Sequence, residues 1–585
     1  MAAATTRYCA KLALPLANPE RATAIWAAQS AGLRSTPSNS IEHLAQRLER
    51  AVEDAAALYH RERQALVTRE VTGLGNFPTL FPAARAMQRK FIFFAGPTNS
   101  GKTHAGFELL IKAQSGLYLA PLRLLALEGQ ERIESAGVVC DLVTGEERVH
   151  RPNSRHIAAT IEMVDTEKPV DVVMIDEIQL LDDPDRGWAW TQACLGVAAP
   201  LVILTGSAEA EPLVRCLVAL TGDELEIRYC ERLSPLSALP IAVKFTALEP
   251  GDAIIAFSRR DVLMLRDAML DRKHSVAVIY GALGPEVRRA EAARFRSGEA
   301  QILVATDAIG MGLNLPIRRV LFSTLEKFDG ISERPLRVSE IKQIGGRAGR
   351  FKQHEAGFVG VLSGISAKPV SNALDSPNRA SSLQRFWVQP PWRAVQHVAA
   401  ELQTTKITPV IEHIAKVVLN NDPRWCSPIG EDHIAMATLL DNAPLSLRLR
   451  YEYLGTPIDT RTQYACDQLL RWLRGHAAER RVTTPGLRTG TVPDSDRALE
   501  TLEQDAKVIT AYLWLALRWP SVYPQETEAR AAQQQANQWI AEALRAKRLQ
   551  RVCRTCSRKL STGHRFAICD DCFRAQRSEF GDNYW

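Results

Sequence analysis

Phe91 to Thr103 reads FIFFAGPTNSGKT, and the fold is decided there. Phe91–Ala95 is a short, unbroken apolar and aromatic run, the pattern of a strand buried on both faces. It leads straight into Gly96-Pro97-Thr98-Asn99-Ser100-Gly101-Lys102-Thr103, which fits the phosphate-binding spacing G-x-x-x-x-G-K-[ST]. Gly96 and Gly101 permit a tight turn whose N–H groups face a phosphate, and the start of the next helix adds partial positive charge. Lys102 reaches the outer phosphates as a point charge, and Thr103 offers its hydroxyl to Mg²⁺. A helix-compatible run, His104–Lys112, follows at once. A strand before the loop and a helix after it favour a nucleotide site over a chance glycine-rich turn.

Around this loop, from about Met87 to about Tyr229, short apolar runs alternate with helical stretches. That alternation predicts a parallel sheet covered by helices on both faces. Strands are expected at Leu117–Ala120, Val170–Ile175 and Leu201–Leu204. Ligands sit at the carboxyl ends of such strands. At the end of Val170–Ile175 comes Asp176-Glu177-Ile178-Gln179. Asp176 is expected to hold Mg²⁺ and Glu177 to orient and deprotonate an attacking water. The bland alternative is a strand-ending turn with solvated acids. Thr205-Gly206-Ser207-Ala208 ends the third strand, where small hydroxyl residues could couple the site to the next domain.

A second alternating region runs from about Ile241 to about Leu362, with strands expected at Ala253–Phe257, Val276–Tyr280, Ile302–Ala305 and Val320–Phe322. It has no phosphate loop. It carries ATDAIGMGLN, Ala305–Asn314, which includes Gly312, and QIGGRAGR, Gln343–Arg350. Arg347 and Arg350 are the residue type that stabilises charge on a transferring phosphoryl group. Gln343, Arg347 and Arg350 are expected to complete the nucleotide site.

GPTNSGKT, DEIQ, TGSA, ATDAIGMGLN and QIGGRAGR, in this order, resemble the motif set of superfamily-two helicases. With Arg186-Gly187-Trp188-Ala189-Trp190 shortly after DEIQ, the chain most resembles the mitochondrial degradosome RNA helicases of the suppressor-of-Var type and their bacterial relatives. The resemblance is close over Phe91–Phe351 and looser beyond. It implies two RecA-like lobes with ATP and Mg²⁺ between them, Gly312 among the nucleotide contacts, and 3′ to 5′ movement on RNA, with a ribonuclease or other RNA-decay protein as partner. It also implies backbone contacts to nucleic acid from Arg123, Thr144, Thr160, Ser258, Arg259 and Thr306. Such contacts carry no sequence information and weaken with salt. No adenine-reading glutamine motif of the DEAD-box type is evident.

The chain ends in Cys553-x-x-Cys556 and Cys569-x-x-Cys572. Two such pairs fit a tetrahedral Zn²⁺ site, with a redox pair or disulfides as alternatives. Lys547, Arg548, Arg551, Arg554, Arg558, Lys559 and Arg565 surround them. That charge suits nucleic acid or a merely solvated surface. The family pattern does not include this module.

The 585 residues therefore divide as a helical N-terminal region, 1–85; a first lobe, 86–229; a second lobe, 230–365; a helical C-terminal region, 366–550; and a zinc module, 551–585. Ser371–Ser381 is expected as a loop, and Trp514 and Trp519 as core rather than base-stacking residues. Met1–Pro19 faintly resembles a transit peptide, but Pro15 breaks its helix and arginine and serine are few, which favours a plain tail. The cytoplasm is the expected location and the mitochondrial matrix the alternative. No apolar run reaches the ~20 residues that span a bilayer. Seven scattered cysteines suit a reducing compartment, and a net charge of +6 is compatible with nucleic acid. Rival functions are a DNA helicase, a nucleotide-gated clamp that does not unwind, and a small-molecule kinase, which the arginine motif disfavours.

Overall fold

The structure is a computed structural model. It describes residues 2–12, 19–35, 41–310, 315–328, 332–349, 355–377, 385–419, 422–545, 549–553, 555–560 and 568–579.

Two RecA-like sheets organise the chain. The first is built from β1 (Lys90–Ala95), β2 (Gly116–Ala120), β3 (Cys140–Val143), β4 (Arg148–Val149), β5 (His156–Thr160), β6 (Val172–Ile175), β7 (Leu201–Gly206) and β8 (Glu224–Tyr229). Their order is β4-β3-β5-β2-β6-β7-β1-β8, all parallel except the short β3–β4 pair. Phe91 to Ala95 are all buried, as an unbroken apolar run requires. Phe91, Phe93 and Ala95 face one core, and Ile92 and Phe94 face another. Fully burying one such phenylalanine contributes roughly 1.5–3 kcal/mol.

The second sheet contains β9 (Leu236–Ala238), β10 (Asp252–Ile255), β11 (Val276–Ile279), β12 (Ile302–Ala305), β13 (Arg319–Phe322) and, after the hairpin β14 (Glu326–Phe328) and β15 (Glu333–Pro335), β16 (Gly357–Val361). Its order is β11-β12-β10-β13-β16-β9, all parallel. The sequence pattern missed β9 and β16, which is glycine-rich, and in the first sheet β3, β5 and β8, whose exposed or polar positions interrupt the apolar run.

The helices after residue 366 are not an independent layer. Val508, Tyr512 and Leu515 join Phe93 and Val173 in one core, while Leu499, Leu502, Ile540 and Leu544 join Ile254 and Val278 in another. The helices Asp496–Arg518 and Glu526–Arg545 thus lie across both lobes. Trp514 is buried at 9% exposure, and Trp519, half-buried, stacks on Tyr453 against the same core.

Two expectations are corrected. Ser371–Ser381 is not all loop: Lys368–Asp375 is a helix, started by Pro369 in its first turn and held by buried Val370 and Ala373, three residues apart. Nor is the start of the chain a plain tail. Ala2–Lys11 is helical, and Tyr8 stacks on Trp26 beneath the long helix Ile41–Thr72. No helix among the described residues is long and apolar enough to cross a membrane.

Candidate active site

Strand order brings the motifs together. In the run β6-β7-β1, Asp176 follows β6, Thr205 lies next to last in β7 beside Phe94, and the phosphate loop follows β1. Residues distant in sequence therefore open onto one edge. Gly96 is forced by space: a Cβ there would lie 2.4 Å from the Cys230 carbonyl oxygen. Asn99 and Gly101 both take positive φ, 63° and 80°, curling the loop onto the helix Lys102–Lys112. Lys102 Nζ donates to the Pro97 carbonyl at 3.0 Å, so it lies folded over the loop.

Asp176 is 4% exposed and surrounded by donors. It accepts from the Tyr118 hydroxyl at 3.2 Å, from the Glu177 N–H at 3.0 Å and from the Thr205 hydroxyl. Burial and the Glu177 charge push it up to about 6, against the Thr205 hydroxyl and Lys102. Tyr118 is driven well above its ordinary range by burial and by Asp176. Glu177 adopts left-handed backbone, φ 53° and ψ 51°, a strained conformation for a residue with a side chain. Gln179 holds it: its Nε2 donates to Glu177 Oε2, while its Oε1 accepts from the Ser207 N–H at 3.1 Å. The last residue of DEIQ thus links the acid to the TGSA turn.

The opposite wall comes from the second sheet. Lys102, Asp176, Glu177, Thr98, Arg289 and Arg347 line a cleft of about 690 Å³ between the lobes. Arg347 donates to the Gly310 carbonyl; burial lowers its pKa, with Glu177, Asp176 and Glu128 acting the other way. Two buried polar atoms here lack partners among the described residues, Ser100 Oγ and Arg347 Nε. Thr103 and Asp176 offer oxygen donors, the set a hard cation such as Mg²⁺ takes. Gln343 sits exposed on the helix Val338–Gly345, near Gly310 but outside the cleft lining. Gly312 and Arg350 lie outside the described residues.

Sequence reading missed Arg232, in the segment joining the sheets. Its guanidinium donates to the carbonyls of Thr98 at 2.8 Å, Gly346 at 2.9 Å and Ser234 at 2.8 Å, and to that of Ala348. Burial without a carboxylate pulls it down to about 10. Asn99 Nδ2 adds a bond to the Gly349 carbonyl at 3.0 Å. The phosphate loop and the arginine motif are therefore tied through main-chain oxygens. No motif flags Arg232, because its partners are carbonyls that any residue supplies.

The expected nucleic-acid contacts are already engaged. Arg123 pairs with Glu146 at 3.0 Å, Glu147 at 3.1 Å and, across the lobes, Glu286 at 3.0 Å. Arg259 pairs with Glu503 at 2.7 Å, and the Tyr280 hydroxyl donates to the same carboxylate. Thr144, Ser258 and Thr306 accept from N–H groups of the next turn, and Thr160 ends β5, buried. Arg259, Glu146, Glu286 and Glu503 line a cavity of about 740 Å³ between the lobes and the C-terminal helices.

At the C-terminus, the sulfurs of Cys553, Cys556, Cys569 and Cys572 all lie within 4.8 Å of one another. Cys556 and Cys569 sulfurs are 3.6 Å apart, near the roughly 3.8 Å that two ligands of a tetrahedral zinc with 2.3 Å bonds require. Cys569 N–H donates to Cys553 Sγ at 3.2 Å. His564 lies outside the described residues.

Three family models match the chain: the DEXQ-box helicase domain of Suv3 over 78–230, the helicase conserved C-terminal domain over 236–352, and the ATP-dependent RNA helicase SUV3 C-terminal domain over 499–546. Among curated relatives, "DExH-box ATP-dependent RNA helicase DExH16, mitochondrial" of Arabidopsis thaliana is 36% identical over 80% of this chain and 83% of its own length. "ATP-dependent RNA helicase SUPV3L1, mitochondrial" of Mus musculus is 37% identical over 81% of this chain. The chain spans 63% of that mouse relative. A solved structure, "S. cerevisiae Dbp5 bound to RNA and ADP BeF3", aligns at a TM-score of 0.39 and 14% identity over 54% of this chain and 90% of that one.

Proposed function

The chain belongs to the Suv3 family of ATP-dependent RNA helicases, and from that premise we propose that it moves 3′ to 5′ along single-stranded RNA, driven by ATP held between its two lobes. The observation that carries this reading is the cleft in which Lys102, Asp176 and Glu177 of one lobe face Arg347 of the other. Lys102 turns from Pro97 to the outer phosphates. Thr103 and Asp176 would hold Mg²⁺, which neutralises phosphate charge when bound. Glu177, steadied by Gln179, takes the proton of the attacking water as the water oxygen bonds the γ-phosphorus and ADP leaves. Arg347, together with Arg350, bears on the charge that develops; Gln343, exposed and outside the cleft lining, is given no part in that step. Loss of the γ-phosphate removes these contacts and lets the lobes part.

In the cavity between the lobes and the C-terminal helices, Arg123 and Arg259 exchange Glu286 and Glu503 for RNA phosphates, with Thr144, Ser258 and Thr306 steadying their turns and Thr160, at the end of β5, offering its hydroxyl to the RNA backbone. Unwinding assays on matched RNA and DNA duplexes with 3′ overhangs test the proposal; equal or better unwinding of DNA, or movement only from 5′ overhangs, would overturn it. Division at residues 86–229 and 230–365 is supported by the two sheets, and a module at 551–585 by the cysteine cluster, whereas the helices of 366–550 share the cores of both lobes. The mitochondrial names of the relatives favour the matrix over the cytoplasm, and the resemblance of the motifs suggests a ribonuclease or other RNA-decay protein as partner.

Arg232 acts here as a positioning residue. Arg232→Lys keeps the charge but loses the planar fork that reaches both lobes. Its turnover number is expected to fall by up to about 10²-fold, with KM for ATP little changed, because a small misplacement of Arg347 costs that much. A fall in ATP affinity with unchanged turnover would instead mark it as a binding residue.

The four cysteines suit one structural Zn²⁺ that holds a module too small for a core of its own. Elemental analysis is expected to give about one zinc per chain. Chelation should unfold the module, since metal binding is folding energy in units this small. Truncation after Gln550 should leave ATP hydrolysis intact while weakening RNA affinity and its salt dependence. Absence of zinc removes the metal assignment; undiminished RNA binding after truncation removes the RNA role.

A further inference from the structure

A second hollow adjoins the channel and has no part in the reading above. It lies between one face of the helix Gln463–Ala477 and the irregular segment 480–488, with a volume of about 470 Å³. Tyr464, Gln468, Arg471 and Gly475, spaced four, three and four residues apart, share that helix face. Arg480 and Arg481 stand on the opposite wall. Among the described residues no carboxylate lines the groove, whereas the channel cavity is lined by Glu146, Glu286, Glu500 and Glu503.

The arginines differ in their commitments. Arg488, at one end, is bound to Asp505 at 2.6 Å and lies over the Tyr464 ring. Arg471, Arg480 and Arg481 are exposed, and among the described residues none has a carboxylate within salt-bridge distance. By contrast Arg259, which lines the channel cavity, and Arg123 beside it each hold carboxylates, Glu503 for the one and Glu146, Glu147 and Glu286 for the other. The segment carrying Arg480 and Arg481 is nevertheless fixed. Val482 N–H donates to the Val522 carbonyl at 2.7 Å, the Tyr512 hydroxyl to the Val482 carbonyl at 2.8 Å, and Thr484 N–H to Gln525 at 2.9 Å. A rigid wall holding like charges close together without counter-charges raises the local concentration of a polyanion.

The groove lies beside the channel cavity, on a neighbouring face of the same helix. Tyr464 lines the groove and its chain neighbour Ala465 lines the channel cavity; Gln504, which bonds Arg488, also lines the cavity. From Tyr464 to Gly475 the helix runs about 16 Å, enough for a few nucleotides. We propose that this groove is a second phosphate-contacting site, in which Arg471, Arg480 and Arg481 take the backbone of a single RNA strand as it passes beyond the inter-lobe cavity. The assignment rests on the RNA-helicase reading. It adds affinity for strands long enough to reach the groove and leaves the hydrolytic step alone.

The test is the full-length triple variant Arg471→Ala, Arg480→Ala, Arg481→Ala, whose exposed positions leave the cores intact. Binding is measured by anisotropy with two labelled oligo-uridylates, one short enough to fill the cavity alone and one several times longer, over a range of salt. The longer strand is expected to bind about tenfold more weakly, with its salt slope shallower by about 2, the value for three lost single-strand contacts. Short-strand affinity and ATP turnover at saturating RNA should match the parent. Equal weakening of both strands, or of neither, overturns the proposal. So does competition by poly-glutamate as effective as that by long RNA, which would make the groove a seat for acidic peptide. Failure of the parent itself to bind the short strand or hydrolyse ATP overturns the helicase reading, a result separable from failure of the groove.

Discussion

Glu177→Gln is expected to lower RNA-stimulated ATP hydrolysis by about 10²–10⁴-fold, the range for loss of a positioned base, while ATP still binds. The amide keeps the shape of the carboxylate and can still accept the Gln179 N–H, so the strained turn at φ 53° is preserved. What disappears is the proton acceptor. Asp176 is not expected to take over, because the proposed mechanism commits it to Mg²⁺ while its oxygens also accept from Thr205, Tyr118 and the Glu177 N–H. The measurement is single-turnover hydrolysis beside equilibrium binding of a fluorescent ATP analogue. Parent-level turnover with intact binding would mean that another group is the base. Lys102→Ala is the control with the opposite signature: it should remove binding itself, since among the described residues no other lysine lines the cleft.

Arg347→Lys is expected to cost about 10³-fold in turnover, the lower end for loss of an arginine acting on a transferring phosphoryl group. Charge is retained, so a purely electrostatic role would predict little change. The guanidinium is needed because it must keep its bond to the Gly310 carbonyl while another edge, Nε, remains to be filled. A lysine cannot do both. Thermal melting distinguishes this from unfolding, and parent-like RNA-stimulated turnover in a folded variant would count against a site shared between the lobes. If Arg232 positions this residue through the Gly346 and Ala348 carbonyls, the Arg232→Lys and Arg347→Lys effects should not add.

Much of the catalytic machinery was legible because its constraints are local. A phosphate loop must follow a buried strand and open a helix, and FIFFAGPTNSGKT can do little else. DEIQ announces itself by ending an apolar run. The cysteine pairs carry their geometry in their spacing. A helical texture over 366–550 was readable as well, and the helix Asp496–Arg518 falls within it.

What that helix packs against was not readable. Apolar periodicity says that a surface is buried but not by what, since the hydrophobic effect is non-directional; only the tertiary structure decides that this helix closes a core with both lobes. The same limit governs the charges. Arg123 and Arg259 read as free phosphate contacts, yet Glu286 and Glu503 occupy them from 163 and 244 positions away in the chain. Arg232 carries no motif because its partners are main-chain oxygens, and the arginine groove exists only where a helix and an irregular segment meet. The sequence by itself determined the chemistry at each strand end, where neighbours in the chain are neighbours in space. Which strand ends, arginines and carboxylates meet was decided by the sheet order and by helices that span both lobes, because those contacts join residues whose separation in sequence carries no signal.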